Sequence, residues 1–234
     1  MKRNHIFSAF ILAFIFCHPA IAQDKHHYQT DFTKEEFAER RMKIADDIGN
    51  NAIAVIQGAS GIPGFTVFRQ SNTFYYLTGL ESPHAYLLIN GKNKQTILYL
   101  PHRDEDTERG QGKVLSADDP DLVKQLTGVD QVRGIEFLST NLVGTGLIRP
   151  PAPLLYTELS PAEIGNDSRD ELLYSQARAA ADPWDGHVSR EAEFVRKLTE
   201  RFPQFEIRDL SPILDSMRLI KSTSEIAVIR KTTQ

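Results

Sequence analysis

This 234-residue chain has a single cysteine and no excess of positive charge. Its one cysteine, Cys17, lies in an apolar run near the N-terminus. A chain that loses this run can form no disulfide and offers no cysteine nucleophile or thiolate metal ligand. The 27 Lys and Arg are outnumbered by 31 Asp and Glu. Without a cationic excess to neutralise a phosphate backbone, the sequence argues against a nucleic-acid partner.

The chain also lacks an apolar run long enough for a typical transmembrane helix. The N-terminal run, Ile6 to Cys17, has about 12 residues, whereas a membrane-spanning helix needs ~20. It follows Lys2 and Arg3 and precedes an Ala-Ile-Ala tripeptide ending at Ala22, which is the organisation of a secretory signal peptide. We predict cleavage after Ala22, a periplasmic or secreted location and no membrane span thereafter. An uncleaved anchor is the weaker alternative.

Motifs of common nucleophilic and nucleotide-binding sites are missing as well. No G-x-S-x-G elbow is present, so a serine hydrolase of that type is not indicated. The stretch 58–64 is rich in glycine but lacks the lysine of a phosphate-binding loop, and Pro63 removes a backbone donor. We interpret this stretch as a turn.

What the chain does contain is an alternation of helical and strand patterns, which indicates an α/β protein. Thr33 and Glu36 form a capping box, and an Asn-Gly pair predicts a hairpin turn near residue 91. Asn72 is predicted to cap a short helix, and 102–112 to be a polar loop. Helices are predicted at 33–48, 118–126, 135–142, 168–181, 189–201, 211–219 and from 222, and strands at 52–56, 86–89, 96–100, 129–133, 154–157 and 205–207.

The stretch 102–108 concentrates one imidazole and four carboxylates. Hard divalent cations prefer carboxylate oxygen, and borderline ones accept imidazole, so a metal site is one hypothesis. The stretch lacks the glycine of an EF-hand loop and a second histidine four residues on. A solvated acidic turn explains the same residues and is the favoured interpretation.

An aromatic-rich stretch, 68–85, is the most informative part of the sequence. Phe74, Tyr75 and Leu77 suit core positions. Arg69 and Gln70 precede them, and a planar guanidinium beside an amide suits recognition of a carboxylate or of a subunit edge.

Three stretches resemble one known family. FRQSNTFYYLTGLESPHAYLLI at 68–89 is similar to the signature of the N-terminal domain of aminopeptidase P, the Xaa-Pro aminopeptidase family related to prolidase and creatinase. GKVLSADDPDLVKQLTGVDQV at 112–132 resembles a second segment of that domain. The stretch 214–231, with Arg218, Lys221 and Glu225, resembles the junction into the family's catalytic domain.

The resemblance implies a fold and a division of the chain. It implies a mixed-sheet, ribonuclease-H-like α/β domain at 33–210, after a signal peptide at 1–22 and a flexible leader at 23–32. Residues 211–234 would be the junction and first helix of an incomplete pita-bread domain. In the family, two Mn²⁺ ions held by two Asp, one His and two Glu activate the hydroxide that attacks the Xaa-Pro bond. None of these ligands can be assigned to this chain, which we therefore expect to bind no metal and to be inactive alone.

The resemblance also implies roles in substrate access and oligomerisation. The implied partners are proline-containing peptides, bound by the full-length enzyme, and further copies of the chain in a homo-oligomer. Prolidase-type or creatinase-type activity of the parent stays open, and a stand-alone, non-catalytic binding or scaffold module is the alternative function. The candidate access or interface residues are Arg69, Gln70, Tyr75, Tyr76, His84, Arg103, Asp104 and Glu108.

Overall fold

A computed structural model describes residues 28–61, 68–144 and 153–233. The predicted signal peptide, its cleavage site and much of the predicted leader lie outside these residues, as does part of the glycine-rich stretch 58–64. The strands are β1 Ala52–Gln57, β2 Tyr86–Asn90, β3 Thr96–Leu100, β4 Gln131–Gly134, β5 Leu154–Thr157 and β6 Glu206–Asp209. The helices are α1 Lys34–Ile48, α2 Asn72–Thr78, α3 Glu105–Gln111, α4 Pro120–Thr127, α5 Leu138–Val143, α6 Arg169–Ala181, α7 Arg190–Arg201, α8 Ser211–Leu219 and α9 Thr223–Thr232.

The described strands form one mixed sheet in the order β4-β3-β2-β1-β5-β6. β2 is antiparallel to both of its neighbours, and the other adjacent pairs are parallel, which confirms the predicted mixed α/β class. Since the parallel strands all point the same way, the carboxyl ends of β1, β3, β4, β5 and β6 meet at one edge of the sheet. This is the edge at which α/β proteins usually place their ligands.

Side chains alternate across the sheet and build a core on each face. On one face, Ala54 and Ile56 of β1 pack with Ile44, Phe74 and Leu214 from the helices. On the other face, strand residues pack with the C-terminal half of α7 and the residues after it; this core contains Ile53, Val55, Leu88, Tyr99, Leu155, Leu198 and Phe202. Both faces of the central strands are therefore buried.

A buried arginine holds three helices of the first face together. The Arg41 guanidinium donates to the carbonyls of Leu77 at 2.8 Å, Thr127 at 2.9 Å and Gly128 at 2.8 Å. These carbonyls lie at the C-terminal ends of α2 and α4, where the helix dipole favours a cation. Burial lowers the pKa of Arg41 to about 10, a value that still leaves it charged at neutral pH.

Two local predictions were wrong. The stretch 102–112 is not a loop throughout, because α3 forms there: Asp104 accepts a hydrogen bond from the backbone N–H of Asp106 at 3.1 Å. The carboxylates that suggested a solvated loop lie in the first turn of α3, where the helix dipole stabilises them. The cap of α2 is Ser71 rather than Asn72, since the Ser71 hydroxyl accepts from the N–H of Phe74 at 3.4 Å.

Both ends of the described chain contact α1 and α2. The Tyr28 hydroxyl donates to the Thr78 carbonyl at 2.7 Å, so the last residues of the predicted leader pack on the domain. α8 contributes Leu214 and Met217 to the core of the first face, which places part of the predicted junction in the same core. The domain boundaries at residues 32 and 210 stay predictions. Among the described helices, none is both long and apolar enough to cross a bilayer.

Candidate functional site

The eight candidate residues line two separate cavities. The first, here called the junction cleft, has a volume of about 340 Å³ and lies between α1, α2 and the α8–α9 connection. It contains Arg69, Gln70, Tyr75 and Tyr76. The second, here called the edge cleft, has a volume of about 320 Å³ and lies where β3 ends at the carboxyl edge of the sheet. It contains His84, Arg103, Asp104 and Glu108.

One wall of the junction cleft is an arginine enclosed by aromatic rings. The Arg40 guanidinium carbon lies 4.1 Å from the ring centroid of Tyr76, 5.0 Å from that of Phe32 and 5.5 Å from that of Phe37. Such cation–π contacts strengthen when they are shielded from water, and Arg40 is buried. Arg40 also donates to the Tyr76 carbonyl at 2.9 Å, which fixes the wall to α2. Burial raises the pKa of the Tyr76 hydroxyl.

The same wall fixes the start of α9. Glu36 accepts hydrogen bonds from Arg40 and from the Ser222 hydroxyl, both at 2.6 Å. Glu225 lies 3.8 Å from the Arg40 guanidinium and completes a capping box with Ser222. Helix α1 therefore contacts the first turn of α9 through Glu36 and Arg40.

Arg69 and Tyr75 lie at the solvent side of the cleft. The exposed Arg69 guanidinium donates to Glu81 through one nitrogen at 3.3 Å. Tyr75 is half-buried, and its pKa is raised first by that burial and then by the charge of Glu81. Their polar groups are accessible to a ligand.

Gln70, by contrast, is a scaffold residue. Its side chain is buried; the amide nitrogen donates to the Ser82 carbonyl at 2.8 Å, and the amide oxygen accepts from the backbone N–H groups of Ser71 and Ala59. These bonds hold the end of β1 against the loops on both sides of α2. Although Gln70 lines the cleft, its hydrogen-bonding groups are engaged within the protein.

A charged network joins the cleft to α6. Arg218 of α8 lines the cleft and contacts Glu163 at 3.1 Å, and Glu163 lies 3.7 Å from Arg169 at the start of α6. Arg169 in turn holds both oxygens of Asp215, at 2.7 and 2.9 Å. Nearby Glu158 accepts from the Thr73 hydroxyl at 2.8 Å, and burial raises its pKa to about 7.

The edge cleft is built from exposed ion pairs. His102 lies between two carboxylates, with Nδ1 2.7 Å from Asp118 and Nε2 3.2 Å from Glu136. Hydrogen bonds to both carboxylates raise the pKa of His102. Arg103 contacts both oxygens of Asp119, at 2.8 and 2.7 Å, and lies 3.6 Å from Glu108. These contacts tie the segment after β3 to the loop before α4.

His84 lies at the opposite side of the edge cleft and differs from His102. Its backbone φ is +57°, and its Nε2 accepts a hydrogen bond from the N–H of Gly61 at 3.2 Å. A nitrogen that accepts must be unprotonated, so this contact belongs to neutral His84. Burial, followed by the charge of Arg190, lowers its pKa. The structure brings His84, Arg103, Asp104 and Glu108 to the lining of one cavity, where Arg103 and Glu108 lie 3.6 Å apart.

A metal centre has no geometric support among the described residues. Within 28–61, 68–144 and 153–233, no group of three His, Cys, Asp or Glu side chains could hold an ion. Several carboxylates of 102–108 have other roles: Asp104 caps α3, Asp106 pairs with Arg109, and Glu108 lies beside Arg103. These carboxylates of 102–108 serve helix capping and ion pairing.

Comparison with known sequences identifies the domain. Residues 37–146 match the sequence model of "Aminopeptidase P, N-terminal domain". Residues 37–146 carry an aminopeptidase P N-terminal domain. The chain is 25% identical over 212 residues to the Xaa-Pro aminopeptidase of Escherichia coli K12, which covers 86% of this chain and 42% of that protein. It is 24% identical over 224 residues to Xaa-Pro aminopeptidase 3 of Dictyostelium discoideum, covering 92% of this chain and 36% of that protein.

Solved structures agree on the fold of this aminopeptidase P domain. E. coli aminopeptidase P with the inhibitor Pro-Leu has a TM-score of 0.57 and 22% identity, covering 86% of this chain and 42% of that one. The zinc-substituted E. coli enzyme in complex with product has a TM-score of 0.56, with the same identity and the same coverage of both chains. The chain thus spans about two fifths of the length of the relatives it matches.

Sequence analysis missed several functional candidates of the aminopeptidase P domain. Arg40 was one of many polar residues on a predicted helix, and nothing local distinguishes it. Arg218 and Lys221 belong to the third family-like stretch, yet only the structure places them on the junction cleft with Arg69 and Tyr75. The Lys221 ammonium donates to the Arg218 carbonyl and forms no ion pair with a described residue.

Proposed function

We propose that this chain is the N-terminal, substrate-access and oligomerisation domain of an exported Xaa-Pro aminopeptidase. Such an enzyme is a metal-dependent hydrolase that releases the first residue of a peptide whose second residue is proline. The aminopeptidase P N-terminal domain and the relatives named Xaa-Pro aminopeptidase support this activity class. We propose Xaa-Pro aminopeptidase activity for the full-length enzyme in preference to a prolidase-type or creatinase-type activity.

The proposed role in substrate access rests on the contact of α1 with α9. Through Glu36 and Arg40, helix α1 contacts the first turn of α9, the helix that resembles the entry into a catalytic domain. The junction cleft lies beside this helix and offers Arg69, Tyr75 and Lys221. A peptide reaching a catalytic domain attached at α9 would pass these groups. The domain would then restrict access by long or folded chains.

For the full-length enzyme we propose two manganese ions as cofactors. A zinc-substituted E. coli aminopeptidase P supports metal dependence in the family, and manganese itself is our expectation from the resemblance. The ligands would come from the catalytic domain, since the described residues offer no metal cluster. The chain alone would be inactive.

We further propose export to the periplasm or the cell exterior, followed by assembly into a homo-oligomer. The N-terminal pattern of residues 1–22 supports export. Mass spectrometry of protein recovered after expression with the native N-terminus tests the cleavage step. Its N-terminus should be Gln23, whereas an intact Met1 in mature material would contradict export by cleavage.

Peptide hydrolysis tests the function directly. Release of alanine from an Ala-Pro-Phe peptide is measured with Mn²⁺ for the purified 234-residue chain and for the product of the complete reading frame that contains it. We expect no release by the chain and release by the longer product. Release by the chain itself would contradict the proposed division of roles. A reading frame that stops after Gln234 would favour the stand-alone scaffold.

A further inference from the structure

Helix α6 is the longer of the two described helices of ten or more residues that have no buried residue; the other is α9. Helix α6 has 13 residues, hence a length of about 20 Å, yet it contributes no buried residue. Among the described residues, the side-chain ion pairs of α6 with the rest of the domain are made by Arg169, to Asp215 and Glu163. Helices of this length are marginal in water without a packed face. The inward residues of α6, such as Leu172 and Gln176, are only half-buried, so a second helix packed on its outward surface would add stability.

That outward surface carries an evenly spaced charge pattern. Asp170, Tyr174 and Arg178 follow one another at intervals of four residues, which places them on one side of the helix. Tyr174 at the centre is 67% exposed, and the Arg178 guanidinium lies 5.9 Å from its ring. Neither Asp170 nor Arg178 forms an ion pair with a described residue. Exposed Leu173 and Ala177 lie beside this row.

This pattern is complementary to itself. If a second α6 lies antiparallel with a two-fold axis at Tyr174, Asp170 of each copy faces the partner's Arg178, and the two Tyr174 rings meet at the axis. Both charge contacts form at once, as an isologous interface requires. A partner of unrelated sequence would have to supply the reverse order of charges independently.

We propose that α6 is the surface through which two copies of this chain associate, as an antiparallel helix pair centred on Tyr174. The proposal rests on the oligomerisation role proposed above and assigns it to particular residues. Trp184, 94% exposed in the loop after α6, extends the apolar surface, since one aromatic ring buries about 150–250 Å². A single helix pair is small beside a standard interface of ~800 Å² per partner, so the dimer should dissociate on dilution.

Charge reversal tests the pairing by sedimentation velocity of the 234-residue chain over a range of concentrations. Asp170→Arg alone and Arg178→Asp alone place like charges opposite each other, and each variant should dimerise at least about tenfold more weakly than the wild type. An equimolar mixture of the two variants should restore the dimer. In the mixed pair, both contacts again join opposite charges. Tyr174→Ala should weaken the dimer without any change of charge.

Two controls separate pairing from loss of structure. Lys92→Asp reverses an exposed charge on the β2–β3 turn, away from α6, and should dimerise as the wild type does. Circular dichroism reports the helix content of each variant, and recovery on mixing would not occur if the substitutions had merely unfolded α6. A monomeric wild type, unaffected single variants or failure of the mixture to recover would each overturn the proposal. Because the measurement is mass rather than peptide release, these outcomes leave the proposed peptidase role intact.

Discussion

The junction cleft and the edge cleft are lined by similar residue types but hold their charges differently. In the junction cleft, Arg40 is enclosed by three aromatic rings and bonded to Glu36, and both side chains are largely shielded from water. In the edge cleft, Arg103 and His102 form their ion pairs in solvent. Exposed pairs are screened and contribute little, whereas breaking a shielded pair leaves a charge without its partner. The first cleft should therefore be rigid and the second adjustable.

The largest expected effect is the loss of the enclosed arginine. Arg40→Ala removes the cation between the rings and leaves Glu36 and Glu225 close together, so we expect the free energy of unfolding to fall by about 3 kcal/mol. Urea denaturation measures it. The matched control is Arg103→Ala in the edge cleft, which should cost about 1 kcal/mol or less. Equal losses for the two variants would remove the proposed difference between the clefts.

The second prediction concerns the contact between α1 and α9, and its expected effect on stability is smaller. Ser222→Ala removes a helix cap, which costs about 1 kcal/mol, and also the hydrogen bond to Glu36. Hydrogen exchange should show α9 losing protection by more than the cap alone explains. Ser189→Ala is the control, because Ser189 caps α7 without bonding another helix. If the two substitutions reduce the hydrogen-exchange protection of their helices equally, the hydrogen bond to Glu36 does not stabilise α9.

The smallest effect is a pH dependence within the edge cleft. The pKa of His102 lies above its ordinary 6.5 because two carboxylates bind the protonated ring, and that of His84 lies below it because burial penalises the charge. The His102 bridge therefore stabilises the fold fully below pH 6.5 and loses this effect as pH rises through the higher pKa of the folded state. NMR titration should find His102 deprotonating at higher pH than His84. His102→Gln should remove the alkaline loss of stability, and the reverse order of titration would show that the bridge does not form.

The fold was predictable where local signals decide it. Ser168, Ser189 and Ser222 each cap the helix that the sequence predicted after it, and the Asn-Gly turn joins β2 to β3. The prediction failed at 102–112 because acidic residues suit both a solvated loop and the first turn of a helix. Composition alone cannot separate these two, since the decision depends on whether Asp104 adopts the capping conformation.

The candidate site was predictable only in part, because its walls come from distant parts of the chain. The aromatic stretch pointed to Arg69 and Tyr75, and the structure places both on the junction cleft, although Tyr75 had also suited a core position. Gln70 lies next to Arg69, and its amide would suit recognition of a ligand. Its hydrogen bonds instead hold two loops of the domain together. Arg40 acquires its role through Tyr76, 36 residues away, and through Glu225 far beyond that. No local pattern contains such pairings.

The order of strands in the sheet has a kinetic consequence. β2 and β3 are joined by a short turn and can pair early, whereas β5 reaches its place beside β1 only after about 100 intervening residues. β6 pairs with β5 and is followed directly by α8 and α9. During synthesis and folding, the part of the molecule that carries α6 and the α8–α9 wall of the junction cleft would thus be completed last. The proposed self-association through α6 and the proposed peptide admission would both be unavailable to a chain that has not finished folding.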